Sequence, residues 1–481
     1  MWRSRARCSG TRTSPCWCRP LPASADLSSL PSPAPAVSPP APRRGRLLQV
    51  LGVSFGVAAL VGNTILVGIL RTPGEVAARL PSPALFLGLW LVGGCYALLA
   101  TLSLAEPGAM ITRSGGQYVI VRRGLGEYPG FVVGWTDWIS VCGAMSLGAM
   151  VITEYLEPLV PSLTGRRPAV GVALVLAFGV LLWRGIRIGD ISQQILSALK
   201  AVAFGVLIGL CLVLPAPAHE AGAATVLPAG MAMVTAVVLG LQSVIYTYDG
   251  WNGPLYFGEE VLNPGQGIPR SMVLGVLVVI AIYLLLNVAF VRVLGIERMA
   301  GDPFVAASAG KALFGPRGDL VIRLLVVVSI LSAINACALM GPRVLLAMSR
   351  DGLLHPAFET VSPAGTPTVA HWATIGVVSG FILTGTFDTV LALCAFFYVV
   401  GYLLSFISVF ALRRKEPDTP RPFRVPGFPV TTAVVVVGSA TFLIGALVLD
   451  WGNSWKSLVL LAVSAPVYGW VVGARGRRGA R

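Results

Sequence analysis

Residues 61–75 read VGNTILVGILRTPGE. They close an uncharged apolar run, 47–70, long enough to cross a bilayer, since a membrane helix needs roughly 20 apolar residues. Yet Gly62, Gly68, Pro73 and Gly74 crowd into it. Glycine costs a helix about 1 kcal/mol relative to alanine and an internal proline about 3 kcal/mol, so the stretch predicts a break at membrane depth. Backbone groups freed there are tolerated in lipid only where protein buries them or they line a wet cavity. Freed N–H groups opening the second half-helix favour an anion, and carbonyls ending the first half favour a cation. A molecule with both a carboxylate and an ammonium suits the pair. The same glycines also allow neighbouring helices to approach closely, and this stretch alone leaves both readings open.

Composition fixes the environment. The 481 residues are 55% hydrophobic and only 12% charged, and mean hydropathy is positive, which excludes an ordinary soluble protein. The net charge of +15 is scattered between apolar runs without an aromatic-interleaved stripe, so no nucleic-acid partner is expected. Of eight cysteines, Cys8, Cys16 and Cys18 lie in a polar N-terminal stretch, and Cys95, Cys142, Cys211, Cys337 and Cys394 lie in apolar segments. Neither they nor the isolated His219, His355 and His371 show metal-ligand or triad spacing. No metal and no cofactor are expected.

Residues 1–45 are rich in Arg, Ser and Pro, cannot build a core, and are expected to be a disordered tail. From residue 47 about twelve spans follow, each near the required length: 47–78, 83–106, 131–156, 169–183, 191–214, 230–261, 272–294, 320–348, 370–385, 389–412, 430–449 and 458–472. A polar loop from Arg113 follows the second, and a longer loop with Asp302, Lys311 and Arg317 precedes the eighth. The domain reading is a tail at 1–45, a transmembrane unit at 46–474 and a basic tail at 475–481. A cytoplasmic N-terminus places most Lys and Arg inside, and an even number of spans returns the C-terminus there, predicting a multi-pass cell-membrane protein within the lipid bilayer.

The second interruption falls in the sixth span, where TYDGWNGP occupies 247–254. Five spans separate it from the first, so the two run in opposite directions. Gly/Pro-interrupted segments in matching positions of two halves point to an inverted-repeat transporter with substrate held between the breaks. Asp249 is costly in lipid, by about 2.5–3.5 kcal/mol on insertion scales. It is expected either to face a cavity or to cap a second half-helix. Tyr246, Tyr248 and Trp251 flank the break, where they either close over a ligand or simply pack. Glu259 and Glu260 stand near the cytoplasmic end, with Arg270 as an expected partner. Ser329, Ser332 and Asn335 share a helix face and are read as cavity-lining candidates or as interhelical hydrogen-bond glue. Lys200 is the only lysine inside an expected span; it is assigned to proton coupling or to stabilising one gate state, against a snorkelling or permanently charged structural lysine.

YTYDGWNGPLYFGEEV at 246–261, followed by NPGQGIPRS, resembles the sixth-helix signature of amino acid permeases in the amino acid, polyamine and organocation (APC) superfamily. AEPGAMITRSGGQYVIVRRGLG from Ala105, GPRVLLAMSRDGLLHPAF from Gly341 and LRRKEPDTPRPFRVPGFPV from Leu412 match in order. The resemblance spans 47–472. It implies a leucine-transporter-like, all-α membrane fold: five plus five inverted helices, broken helices 1 and 6, and two C-terminal helices. It also implies that the first-helix loop binds a substrate carboxylate through N–H groups while carbonyls of both broken helices hold its ammonium. The family's Gly-Ser/Thr/Ala-Gly-Ile loop aligns with Leu66, Val67, Gly68 and Ile69. The first glycine is replaced by leucine, but the backbone donors persist. Substrate contacts are therefore assigned to Thr64, Ile65, Val67, Gly68, Ile69, Tyr246, Tyr248 and Asp249, with Tyr246 as gate. The placement of Lys200 is similar to that of the fifth-helix lysine of proton-coupled members.

Together these readings describe a secondary transporter of amino acids working by alternating access, with proton symport of a neutral amino acid as the leading mode. The alternatives are an amino acid or polyamine exchanger and a sensor that binds without transporting. No nucleophile or cofactor motif marks an enzyme, and nothing in the sequence speaks to an accessory subunit.

Overall fold

The computed structural model describes residues 47–66, 68–157, 160–163, 165–215, 227–384, 387–449 and 451–479. The tail at 1–45, Val67 and His219 lie outside the described residues. The helices are α1 Val53–Thr64, α2 Gly68–Arg79, α3 Pro83–Met110, α4 Gln117–Leu125, α5 Glu127–Leu156, α6 Arg167–Trp183, α7 Ile186–Val213, α8 Met231–Thr247, α9 Pro264–Leu294, α10 Ile296–Met299, α11 Val305–Phe314, α12 Gly318–Arg350, α13 Thr368–Thr384, α14 Phe387–Lys415, α15 Val430–Leu449 and α16 Trp451–Gly479. Among the described residues there is no sheet, only two isolated bridges. Among the described residues seven helices are long and apolar enough to cross a membrane, and the bent pair α1–α2, taken as one span, makes an eighth. The shorter apolar helices include α6, α8 and α13. The protein is an all-helical, multi-pass membrane protein.

α7 shows why lipid is the right solvent. One stripe, Ile191, Ile195, Leu199, Val202 and Val206, is exposed, with Val202 at 63%, whereas Gln193, Ser197 and Lys200 on the opposite face are buried, Lys200 at 1% exposure. Both stripes repeat at three- and four-residue steps, the helix period. An apolar exterior over a polar interior would be unstable in water and is stable in hydrocarbon.

α1 sits centrally, packed against α7, α9 and α12. Its glycines permit this: a Cβ at Gly62 would lie 2.0 Å from Gln193 Nε2, and one at Gly56 would lie 2.5 Å from Ser271 Cβ. Close helix approach at Gly62 thus coexists with the break just beyond it. The start of α1 is pinned to the end of the sixth span. Leu51 N–H donates to Glu260 O and Leu262 N–H to Leu51 O, both at 2.8 Å.

Two expected loops contain helices. The stretch after Arg113 folds α4, which buries Gln117 to Val121 while its arginines end the last turn. The stretch before the eighth span folds α10 and α11; α11 buries Val305, Ala306, Ala309 and Gly310, small residues whose polar neighbours masked the helical face. Glu259 and Glu260 pair with α12 instead of with Arg270, which is exposed on α9. Arg350 Nη1 donates to Glu259 at 2.8 Å, and buried Arg343 makes a two-point bond to Glu260 at 2.5 and 2.7 Å. The planar guanidinium fork suits that geometry.

Candidate functional site: two facing helix breaks

α1 ends at Thr64 and α2 begins at Gly68, with axes bent by 48°. Pro73 is carried inside α2, so the interruption falls at Ile65 and the residues after it. In the sixth span α8 stops at Thr247, and only a 3-10 turn, Gly253–Phe257, precedes α9. The second half of this span is therefore a short tight turn and not an α-helix. Asp249 does not cap it: Asn252 holds the cap position, and the Asp249 carboxylate accepts from Tyr402 Oη on α14 at 2.6 Å.

The two breaks touch. Gly250 has φ +117°, a backbone shape that glycine accepts readily, and a Cβ there would lie 2.6 Å from Thr64 Oγ1 and 2.9 Å from Thr64 N. A Cβ at Gly68 would lie 3.2 Å from Thr247 Cγ2. The N–H groups of the first α2 turn, Gly68 and Ile69 among them, have no intrahelical acceptor, so the chain presents donors where α1 presents carbonyls.

Those carbonyls are already engaged. Lys200 Nζ donates to Gly62 O at 2.9 Å and Ile65 O at 2.7 Å. Ser329 Oγ donates to Ile65 O at 2.9 Å. Tyr283 Oη stands 2.9 Å from Thr64 O and 3.1 Å from Thr247 O, so its single hydrogen is shared between the ends of the two broken helices. Lys200 thus points inward to the break and does not snorkel. Ser332 and Asn335 bind α7 instead: Ser332 Oγ lies 3.0 Å from Ser197 Oγ, and Asn335 Nδ2 donates to Gln193 Oε1 at 2.7 Å. Of the three α12 candidates, Ser329 alone bonds to the break.

Tyr248 is buried with its hydroxyl on Trp90 O at 3.2 Å and its ring 4.8 Å from that of Tyr283. Tyr246 lines a cavity of about 30 Å³ with Asp249, Trp251, Tyr398, Tyr402 and others. A single water needs roughly 10–15 Å³ by this measure, so the cavity has room for about two waters.

Sequence reasoning missed Tyr283, Tyr402, Tyr256 and Asp137. Asp137 on α5 is 3% exposed, and its Oδ1 accepts from Tyr256 Oη at 2.7 Å. Asp137 Oδ2, Trp251 Nε1 and Thr64 Oγ1 are buried without a hydrogen-bond partner. The signal for Asp137 was present: a carboxylate inside an apolar span, the same signal that singled out Asp249.

Known proteins resemble this chain in sequence. The amino acid permease family pattern matches residues 47–471. The serine/threonine exchanger SteT of Bacillus subtilis is 27% identical over 437 residues, covering 88% of this chain and 96% of its own. The b(0,+)-type amino acid transporter 1 of Rattus norvegicus is 27% identical over 441 residues, covering 89% and 88%. The glutamate/serine transporter AimA of Bacillus subtilis is 24% identical over 445 residues, covering 86% and 79%. With the match running from the first described residue into the last helix, the chain belongs to the amino acid permease family of the APC superfamily, and it is a transporter of amino acids and not an enzyme.

Proposed function

We propose that this protein moves a neutral amino acid across the cell membrane together with a proton, by alternating access around the two facing breaks. The observation that carries the reading is the meeting of the breaks, Thr64 with Gly250 and Gly68 with Thr247, which sets the free donors of α2 beside the end of α8. The substrate carboxylate sits on the N–H groups of Val67, Gly68 and Ile69, where a half-helix N-terminus favours an anion. The ammonium lies toward the sixth-span break and Asp249, and Tyr246 gates the pocket. Lys200, bonded to the α1 carbonyls at the break, stabilises one gate state. Its commitment to two carbonyls leaves it unsuited to an acidic side chain. The fold belonging to this reading has twelve spans, with five plus five in inverted repeat and two further helices, both termini cytoplasmic.

Exchange is the second reading, supported by the relative named a serine/threonine exchanger. Purified protein in proteoliposomes separates them. Symport predicts that labelled serine accumulates under an imposed inward proton gradient with no amino acid inside. Uptake that occurs only against internal amino acid establishes exchange, and binding without either establishes a sensor. A competition panel of neutral, cationic and acidic amino acids assigns the side-chain class; neutral competitors are expected to prevail.

A further inference from the structure

We propose that Asp137 on α5 is the residue that binds the transported proton, an assignment that rests on the symport reading above. Asp137 stands ten residues into α5, about 15 Å from its start at 1.5 Å per residue. It is 3% exposed, with one oxygen on Tyr256 and the other without a partner. The titratable groups facing it are Tyr256 from the 3-10 turn, Asp249 from the sixth-span break and Tyr402 from α14. Cys337 from α12 faces Tyr256 in the same cluster. None of these is a cation, and the Lys200 ammonium is turned to the α1 carbonyls. A carboxylate buried without a counter-charge costs several kcal/mol unless it takes up a proton, and two that share such a site do not both stay ionised.

Of the two, Asp249 is the better served, with the Tyr402 hydroxyl at 2.6 Å and its neighbour's backbone N–H as donors. Asp137 has a single donor and an orphan oxygen, so the proton is placed on Asp137. Balance is simple: the carboxylate takes one proton from water on the side of higher acidity, crosses the occluded state as a neutral acid, and releases the same proton once water reaches it from the other side. Tyr256 links this carboxyl to the sixth span. It lies in the 3-10 turn Gly253–Phe257 between the sixth-span break and Glu260, and the strength of its bond to Asp137 changes with the charge of that carboxyl.

The test uses full-length protein in proteoliposomes, with labelled serine or whichever panel member the wild type accumulates, and an internal pH dye. Asp137→Asn is expected to lose about tenfold in gradient-driven accumulation and in proton entry per amino acid, while counterflow at equal pH persists, and Asp137→Glu is expected to restore the proton response. A wild type indifferent to the gradient defeats the symport reading and this assignment together. A gradient-driven response kept in Asp137→Asn defeats the assignment alone, as does loss confined to cationic substrates. If Asp137→Asn fails to reach the membrane, Tyr256→Phe decides: a displaced pH profile of accumulation supports the assignment, and an unchanged profile overturns it.

Discussion

The two breaks at the centre of the bundle are built to opposite specifications. At the first, the carbonyls of Gly62, Thr64 and Ile65 are each met by a side chain, from Lys200, Tyr283 and Ser329. At the second, two carboxylates stand among tyrosines, and the buried atoms Asp137 Oδ2 and Trp251 Nε1 have no partner. A saturated site resists change and fixes geometry, whereas an under-satisfied one gains free energy from whatever arrives to complete it. The carbonyls of the first break therefore act as the frame, while the open α2 amides, the unpartnered Thr64 Oγ1 and the second break are the parts that respond to substrate and proton.

The contrast can be broken at the frame most severely. Lys200→Met strips the side-chain donor from Gly62 O, at about 1–3 kcal/mol, and one of two donors from Ile65 O, at about 1 kcal/mol, so uptake is expected to fall by about two orders of magnitude, with a lowered melting temperature in detergent. Near-normal uptake with unaltered proton dependence would mean that Lys200 is dispensable. Next comes the contact between the breaks. Gly250→Ala adds a Cβ against Thr64 in a backbone shape alanine resists, a strain of about 1–3 kcal/mol, and initial uptake is expected to drop about tenfold. Ser329→Ala removes one of two donors to Ile65 O while Lys200 stays, so about 1 kcal/mol is lost and uptake falls about fivefold at most.

The smallest effect sharpens the comparison by isolating the interior. Glu416, just past α14, accepts two bonds from Arg123 at 3.0 and 2.7 Å, which holds its carboxyl below the usual carboxylate range. The ionised form is the one stabilised, so the contribution is present above that usual range and lost only as pH falls through the lowered value. Arg123→Ala is therefore expected to leave the uptake profile between about pH 5 and 8 unchanged; a shifted profile would trace the pH response to the surface.

Much of this was legible before any coordinates. Glycine density announced the first break, and the sixth-span motif announced the second. Position within the break was less legible. Pro73 reads as the interruption but is absorbed into α2, and Gly74 serves packing: its carbonyl accepts from Gly301 N–H at 2.9 Å, and a Cβ on it would lie 1.9 Å from Asp302 O. The chain parts instead after Ile65, where the Lys200 and Ser329 donors replace the lost helical bonds. Those donors come from α7 and α12, far along the sequence, and no local pattern reports which side chain meets which carbonyl. The same holds for Glu259 and Glu260, whose partners stand on α12, while Arg270, nearer in sequence, is carried round to the exposed face of α9.

The most direct test of the paired breaks is a cryo-EM structure of the protein with its transported amino acid bound. The account predicts the substrate carboxylate within about 3 Å of the Gly68 and Ile69 amides, its ammonium facing the end of α8, and Lys200 still on the Gly62 and Ile65 carbonyls. An amino acid seated away from both breaks, or α1 and α2 fused into one continuous helix around it, would contradict the account.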